Sequence, residues 1–332
     1  MDIVPTDSQS TFPIASELTP SGPAKSADSQ IHEPIDPNNP RWGLGSALLV
    51  WIVSIILLAV IPFFFLIPYS VHRGLDFGSP DFAKNFISLA TTDPTAIFLQ
   101  ILALLPTHLL TFALVWALVT RFGQHPFLTS LGWSWSGRLR FWGSVGLGVA
   151  LFILGTVLAK LLGGDQPTPL DQMINSSPGA RYLIAVLAVL TAPFVEEIIY
   201  RGVLYAALEK QIVRIVLWVA KKRGMDRTVK LVDDAGTIGM TGAVLFVLVL
   251  FTLIHVPQYL PNWGVIAAVG MLSVSLTIIR AYTGRLLPCV VIHLVFNGIT
   301  SVILLVEPHL PKVAPASEQA ASAVSLLASL WF

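Results

Sequence analysis

Charge is what this sequence lacks. Only 12% of its 332 residues are Asp, Glu, Lys or Arg, about half the share in ordinary soluble domains. Another 54% are hydrophobic, and the mean hydropathy is +0.74. Such a composition excludes a water-soluble globular chain and describes a polytopic membrane protein. The formal net charge is +1, so nothing favours nucleic acid as a partner. A single cysteine, Cys289, excludes an internal disulfide framework. No internal repeat of the kind that builds many transporters is visible, and no H-E-x-x-H metal pair occurs. A secretory leader is not expected, because residues 1–40 are polar, acidic and rich in Pro and Ser, and the first apolar run is too long and lacks an A-x-A site.

Long apolar runs are what the sequence has. Seven of them, at about 42–69, 95–120, 141–162, 181–208, 240–257, 264–280 and 286–306, approach or exceed the roughly 20 residues that cross a bilayer. The expected fold is all-α: a transmembrane bundle of about seven spans behind a disordered N-terminal tail. Its parts are a cytoplasmic tail (1–40), N-terminal spans (41–180), a catalytic core (181–306) and a C-terminal tail (307–332). Pro62 and Pro68 should kink or end the first span and Pro106 the second. Fourteen of the twenty Lys and Arg fall on the N-terminal side and five on the other, with Arg201 inside the membrane. The positive-inside rule then puts the N-terminus in the cytoplasm and the C-terminus outside, in a multi-pass protein of the cell membrane. Gln211–Arg223, apolar with basic flanks, is expected as a cytoplasmic helix on anionic lipid. Ala320–Phe332 is too short to span and is placed in the outer interface.

Against this background, Ala192-Pro193-Phe194-Val195-Glu196-Glu197-Ile198-Ile199-Tyr200-Arg201-Gly202 stands out. It sets two carboxylates and a guanidinium in the middle of the run from Tyr182 to Leu208, where each charge costs on the order of 3 kcal/mol. Glu197 and Arg201 are four apart and can neutralise each other. Glu196 lies about 100° round the helix without that partner, which makes it a candidate general base. Two later spans carry Phe251-x-x-x-His255 and His293-x-x-x-Asn297, each pair facing one way. Two Glu, two His and an Asn in three intramembrane segments are the ingredients of a hydrolytic site, with a base for water and donors for a tetrahedral oxyanion. Counting about 1.5 Å per residue from the cytoplasmic ends puts Glu196, Asn297 and His293 at similar depth, whereas His255 comes out deeper.

The order Glu196-Glu197-x-x-x-Arg201, Phe251-x-x-x-His255, His293-x-x-x-Asn297 resembles the CPBP family of intramembrane proteases, the type II CAAX prenyl endopeptidases and their bacterial relatives. Gly202 and the Gly284-x-Leu286 turn look like the family pattern as well, while Tyr200 stands where the family usually has Phe. The resemblance covers about residues 181–306. It implies Glu196 as the base that activates water, Glu197 and Arg201 as its support, His255 as a partner orienting the water or Glu196, and His293 and Asn297 as oxyanion donors. The partners it implies are the lipid bilayer and a protein or peptide substrate at the membrane, in the family's case a prenylated C-a-a-X tail.

Relatives are commonly called metalloproteases, and Glu196, His255 and His293 could hold zinc with an open water position. A glutamate-activated water needs no metal, and no cofactor is the expectation. Three other readings compete. Cys289, His293 and Asn297 share a face like a Cys-His-Asn hydrolase. The carboxylates and histidines could instead serve a proton-coupled transporter. A non-catalytic scaffold or bacteriocin-immunity protein would leave the polar set without chemistry.

Overall fold

A computed structural model describes residues 35–164 and 166–310, and these are helical with no strand among them. Residues 1–34 of the expected tail and the segment 320–332 lie outside the described residues. Chain order runs α1 (Leu44–His72), α2 (Phe82–Thr92), α3 (Pro94–Leu102), α4 (Leu104–Thr120), α5 (Phe127–Ser130), α6 (Phe141–Leu161), α7 (Pro169–Asn175), α8 (Pro178–Leu190) and α9 (Ala192–Glu197). A π-helical segment (Ile198–Leu204) follows, then α10 (Tyr205–Lys222), α11 (Val229–Tyr259), α12 (Trp263–Thr283) and α13 (Leu287–Val306). Among the described residues, seven helical stretches are long and apolar enough to cross a membrane: α1, α3 with α4, α6, α8 through α10, α11, α12 and α13. The chain is a multi-pass membrane protein. Leu49, Ile56, Phe64 and Ile67 of α1 and Leu245, Val249 and Leu253 of α11 face outward, an exposure tolerable only against lipid.

The prolines act unequally. Pro106 lacks an N–H and its ring crowds the carbonyl of Leu102, and the helix breaks there, α3 ending at Leu102 and α4 starting at Leu104. Asp93 caps α3 by accepting from the backbone N–H of Thr95 and Ala96. Pro62 and Pro68 end nothing; α1 runs through both. The short helix α2 has no buried residue and rests on aromatic contacts, Phe82 and Phe86 against Phe77 and Phe63.

At the centre lies α12, packed against α6, α11, α13 and the π segment. Small residues allow the approach: a Cβ on Gly264 would lie 2.2 Å from the carbonyl oxygen of Ala159, and one on Gly148 would lie 2.8 Å from Val295. Close backbone contact of this kind is how helices associate where no hydrophobic gain separates protein from lipid.

Two differences concern segments that the sequence places on the cytoplasmic side. Gln211–Arg223 is not a separate surface helix but the continuation of the carboxylate helix, with Val213 and Ile212 meeting Gly239 and Gly242 of α11. The bundle also begins before residue 41. Arg280 donates to the Asn38 side chain (2.6 Å) and to the Pro37 carbonyl (3.0 Å), and Lys210 Nζ donates to the Pro40 carbonyl (2.6 Å). A fully buried guanidinium needs acceptors, and the stretch 37–40 supplies them.

Candidate active site

The apolar run around Glu196 forms a helix because nothing in it but Pro193 opposes one, and Pro193 sits in the first turn of α9, where its missing N–H is harmless. Directly after Glu197 the helix widens into the π segment, which carries Arg201 and Gly202. Such turns recur at functional sites. A Cβ on Gly202 would touch Leu131 at 3.0 Å and Leu286 at 3.4 Å, so glycine lets α5 and the α12–α13 turn close over the segment. Two indole N–H groups from α1 and the residues before it also reach this helix. Trp42 donates to the Val203 carbonyl and Trp51 to the Tyr200 hydroxyl, both at 3.1 Å.

Glu197 and Arg201 have no solvent exposure and pair at 2.9 Å. Arg201 also donates to the Ser273 carbonyl and hydroxyl, both at 3.0 Å, and to Thr277 Oγ1 at 3.2 Å. Its guanidinium lies 4.5 Å over the Phe251 ring. Glu197 Oε1 further accepts from His293 Nδ1 at 2.8 Å. A carboxylate only accepts, so the proton of that bond sits on Nδ1, and Nε2 is left facing Glu196 Oε2 at 3.8 Å. Glu196 is the open carboxylate of the pair, its side chain 26% exposed against none for Glu197.

Glu196, His255, His293 and Asn297 all line one cavity of about 500 Å³. Phe251 ties two of them together, its ring 4.6 Å from that of His255 and 6.2 Å from that of His293. His255 Nδ1 bonds the Phe251 carbonyl at 2.6 Å, which fixes the proton there and leaves Nε2 unprotonated. Asn297 donates one amide N–H to the Ala188 carbonyl at 2.9 Å and keeps a second. The tertiary structure thus gathers the three motif segments, His255 included, despite the depth mismatch. The helix bearing His255 starts at Val229 rather than near 240.

Cys289 stays out of this cavity. It is fully buried and its thiol donates to the Leu276 carbonyl at 3.3 Å, so it does not join His293 and Asn297 as a hydrolase nucleophile. Among the described residues no three His, Cys, Asp or Glu side chains converge closely enough to hold a metal ion, and the bond of His293 Nδ1 to Glu197 leaves Nε2 as the open nitrogen of that ring.

Several contributors escaped the sequence reading. Ser273 and Thr277, which hold Arg201, look in sequence like minor polar interruptions of an apolar span; their spacing of four was the available signal. His108 of α4 also lines the cavity, and in sequence it is a lone histidine. Helix α7 adds Leu170 and Met173 to the wall. A capping box with Thr168 holds α7, and burial pushes the Asp171 carboxyl above its usual range against the pull of its bonds to Thr168.

Comparison with known families matches part of the chain. Residues 178–299 match a family model described as type II CAAX prenyl endopeptidase Rce1-like. This part of the chain is similar to Rce1-like domains. It contains Glu196, Glu197, Arg201, His255, His293 and Asn297, and also Ser273 and Thr277, whereas His108, Trp42 and Trp51 lie outside the match. The family is one of CAAX-type intramembrane proteases. Searches of curated proteins and of solved structures found no match to the chain.

Proposed function

We propose that this protein is an intramembrane endopeptidase that hydrolyses a peptide bond of a membrane-associated substrate by glutamate-activated water. The observation that carries the reading is the division between two adjacent glutamates. Glu197 is buried and committed to Arg201 and His293, while Glu196 opens onto the cavity with no hydrogen bond among the described residues. Glu196 takes a proton from water as the oxygen attacks the scissile carbonyl. His255 Nε2, unprotonated and facing the cavity, accepts the other water hydrogen and holds its lone pair toward the carbonyl. The free N–H of Asn297 donates to the tetrahedral oxyanion. His293 can add a donor only from the doubly protonated ring, since Nδ1 already gives its proton to Glu197. When the C–N bond breaks, Glu196 returns its proton to the leaving amine, releasing an acid and an amine and restoring the carboxylate. No step uses a metal.

The Rce1-like match supports a substrate class of membrane-bound proteins ending in prenylated C-a-a-X tails. The excess of Lys and Arg on the N-terminal side supports a cytoplasmic N-terminus in the cell membrane. The test is cleavage of a prenylated C-a-a-X peptide in liposomes by wild type and Glu196→Gln, each with and without a strong zinc chelator. Cleavage that resists chelator and vanishes in the folded Glu196→Gln protein is expected. Full activity of that variant would remove Glu196 as the base, and chelator-sensitive cleavage would remove the metal-free mechanism.

A further inference from the structure

The cavity has a wall that the Rce1-like segment does not supply. Helix α4 presents His108 there, and three observations define what its ring offers. Its Nδ1 lies 2.8 Å from Thr191 Oγ1, and the Thr191 hydroxyl donates onward to the Leu187 carbonyl at 3.3 Å. With its own proton spent, Thr191 Oγ1 accepts, so the imidazole proton sits on Nδ1. Nε2 is then an acceptor. It takes no partner among the described residues and is not sealed from the cavity. Thr191 stands at the break between α8 and α9, five residues before Glu196. The ring is therefore fixed at one nitrogen to the start of the carboxylate helix and open at the other to the space where a substrate must lie.

A peptide in that space brings backbone N–H groups that lose their water on entry, and an unpaired buried donor is costly. In the mechanism above, Glu196 and His255 are occupied with water and Asn297 with the oxyanion, and His293 Nε2 faces Glu196; Nε2 of His108 is an uncommitted acceptor. We propose that His108 is a substrate-positioning residue whose Nε2 accepts a backbone N–H of the peptide at a bond flanking the scissile one. This inference rests on the protease reading and adds a residue from outside the matched domain to the machinery that sets which peptide bond meets Glu196.

The test is a cycle of two protein variants and two substrates. His108→Asn retains a donor near Nδ1 for Thr191 and removes the acceptor; His108→Gln places an amide oxygen near Nε2 and gives up the anchor. Each is compared with wild type on a cleavable peptide and on analogues in which one flanking peptide N–H is replaced by an ester oxygen. Losing one such hydrogen bond should lower kcat/KM about 10- to 100-fold, mainly through KM. Expected is that loss for His108→Asn on the peptide and for wild type on one ester analogue. Their combination should lose no more than either alone, and His108→Gln should recover most of the activity. A wild-type-like His108→Asn overturns the proposal, as do losses that add at every ester position. Equal inactivation of both variants with a changed pH profile overturns it in favour of proton transfer. If wild type cleaves no peptide, or the cleavage survives Glu196→Gln, the protease reading itself has failed. That result is separate from a failure confined to His108.

Discussion

Replacing Arg201 by Met tests whether the buried pair is the structural centre of this bundle. The substitution keeps the apolar stem and most of the volume but removes the guanidinium, leaving Glu197, which has no exposure, with His293 as its remaining partner. Removing one member of a buried pair costs about 3–5 kcal/mol, because an uncompensated charge stays behind. Thr277 still donates to the Ser273 carbonyl at 2.7 Å, so the α12 acceptors are not wholly stranded and the charge is the main term. At roughly 2–4 °C per kcal/mol, the unfolding midpoint should fall by about 10 °C. The chain carries its own probe: Cys289 is the sole cysteine and is fully buried, so a thiol-reactive fluorogenic dye reports opening of the core on heating in detergent. The double variant Glu197→Gln/Arg201→Met removes the stranded charge, and the amide oxygen it introduces can still accept from His293, so it should be more stable than Arg201→Met. A single variant within about 2 °C of wild type, or a double variant no better than the single one, would refute this account of the pair.

Other perturbations give distinct outcomes. Arg280→Met should release the Pro37–Asn38 contacts and expose residues 35–41 to limited proteolysis, which N-terminal sequencing of the products would detect. Gly264→Val should cost about 3 kcal/mol, since its Cβ would press on the Ala159 backbone. Gly202→Ala presses only on the ends of Leu131 and Leu286, which can turn aside, with the Glu197 carbonyl at an ordinary 3.8 Å, and should cost under about 1 kcal/mol; thermal scans of both compare them directly. At Asp93, burial raises the carboxyl but is outweighed by bonds from Ala96, Tyr69 and Thr95 and by the Arg73 charge, so its pKa falls. A lowered carboxylate gives stability present above the ordinary value near 4 and lost as pH falls through the folded-state value. Asp93→Asn, which still caps α3, should flatten that acid limb in thermal scans below about pH 4.

Much of the fold was legible because a bilayer imposes a length rule on apolar runs and makes charges inside them conspicuous. Seven spans, the Glu197–Arg201 pairing and the separate standing of Glu196 follow from spacing alone. So does the break before Pro106, a matter of local sterics. The prolines of α1 show the limit of such rules. A kink or stop at Pro62 and Pro68 depends on what neighbouring helices offer, and α1 continues through both.

What sequence could not supply was anything defined by side chains meeting across helices. The π segment, the clasp of Ser273 and Thr277 on Arg201, the binding of Arg280 by residues 37–38 and the exclusion of Cys289 from the cavity are tertiary facts. Positions that share a helical face in sequence part company once one of them turns toward a neighbouring helix. His108 is the clearest case: a lone histidine in an apolar span carries no periodic signal, and only the packing of α4 beside Thr191 decides which nitrogen it shows to the cavity. The sequence by itself determined which residues must be buried with charge, because lipid penalises each one where it stands. Tertiary structure decided which of them remain available for chemistry, because availability depends on the partners that packing has already supplied.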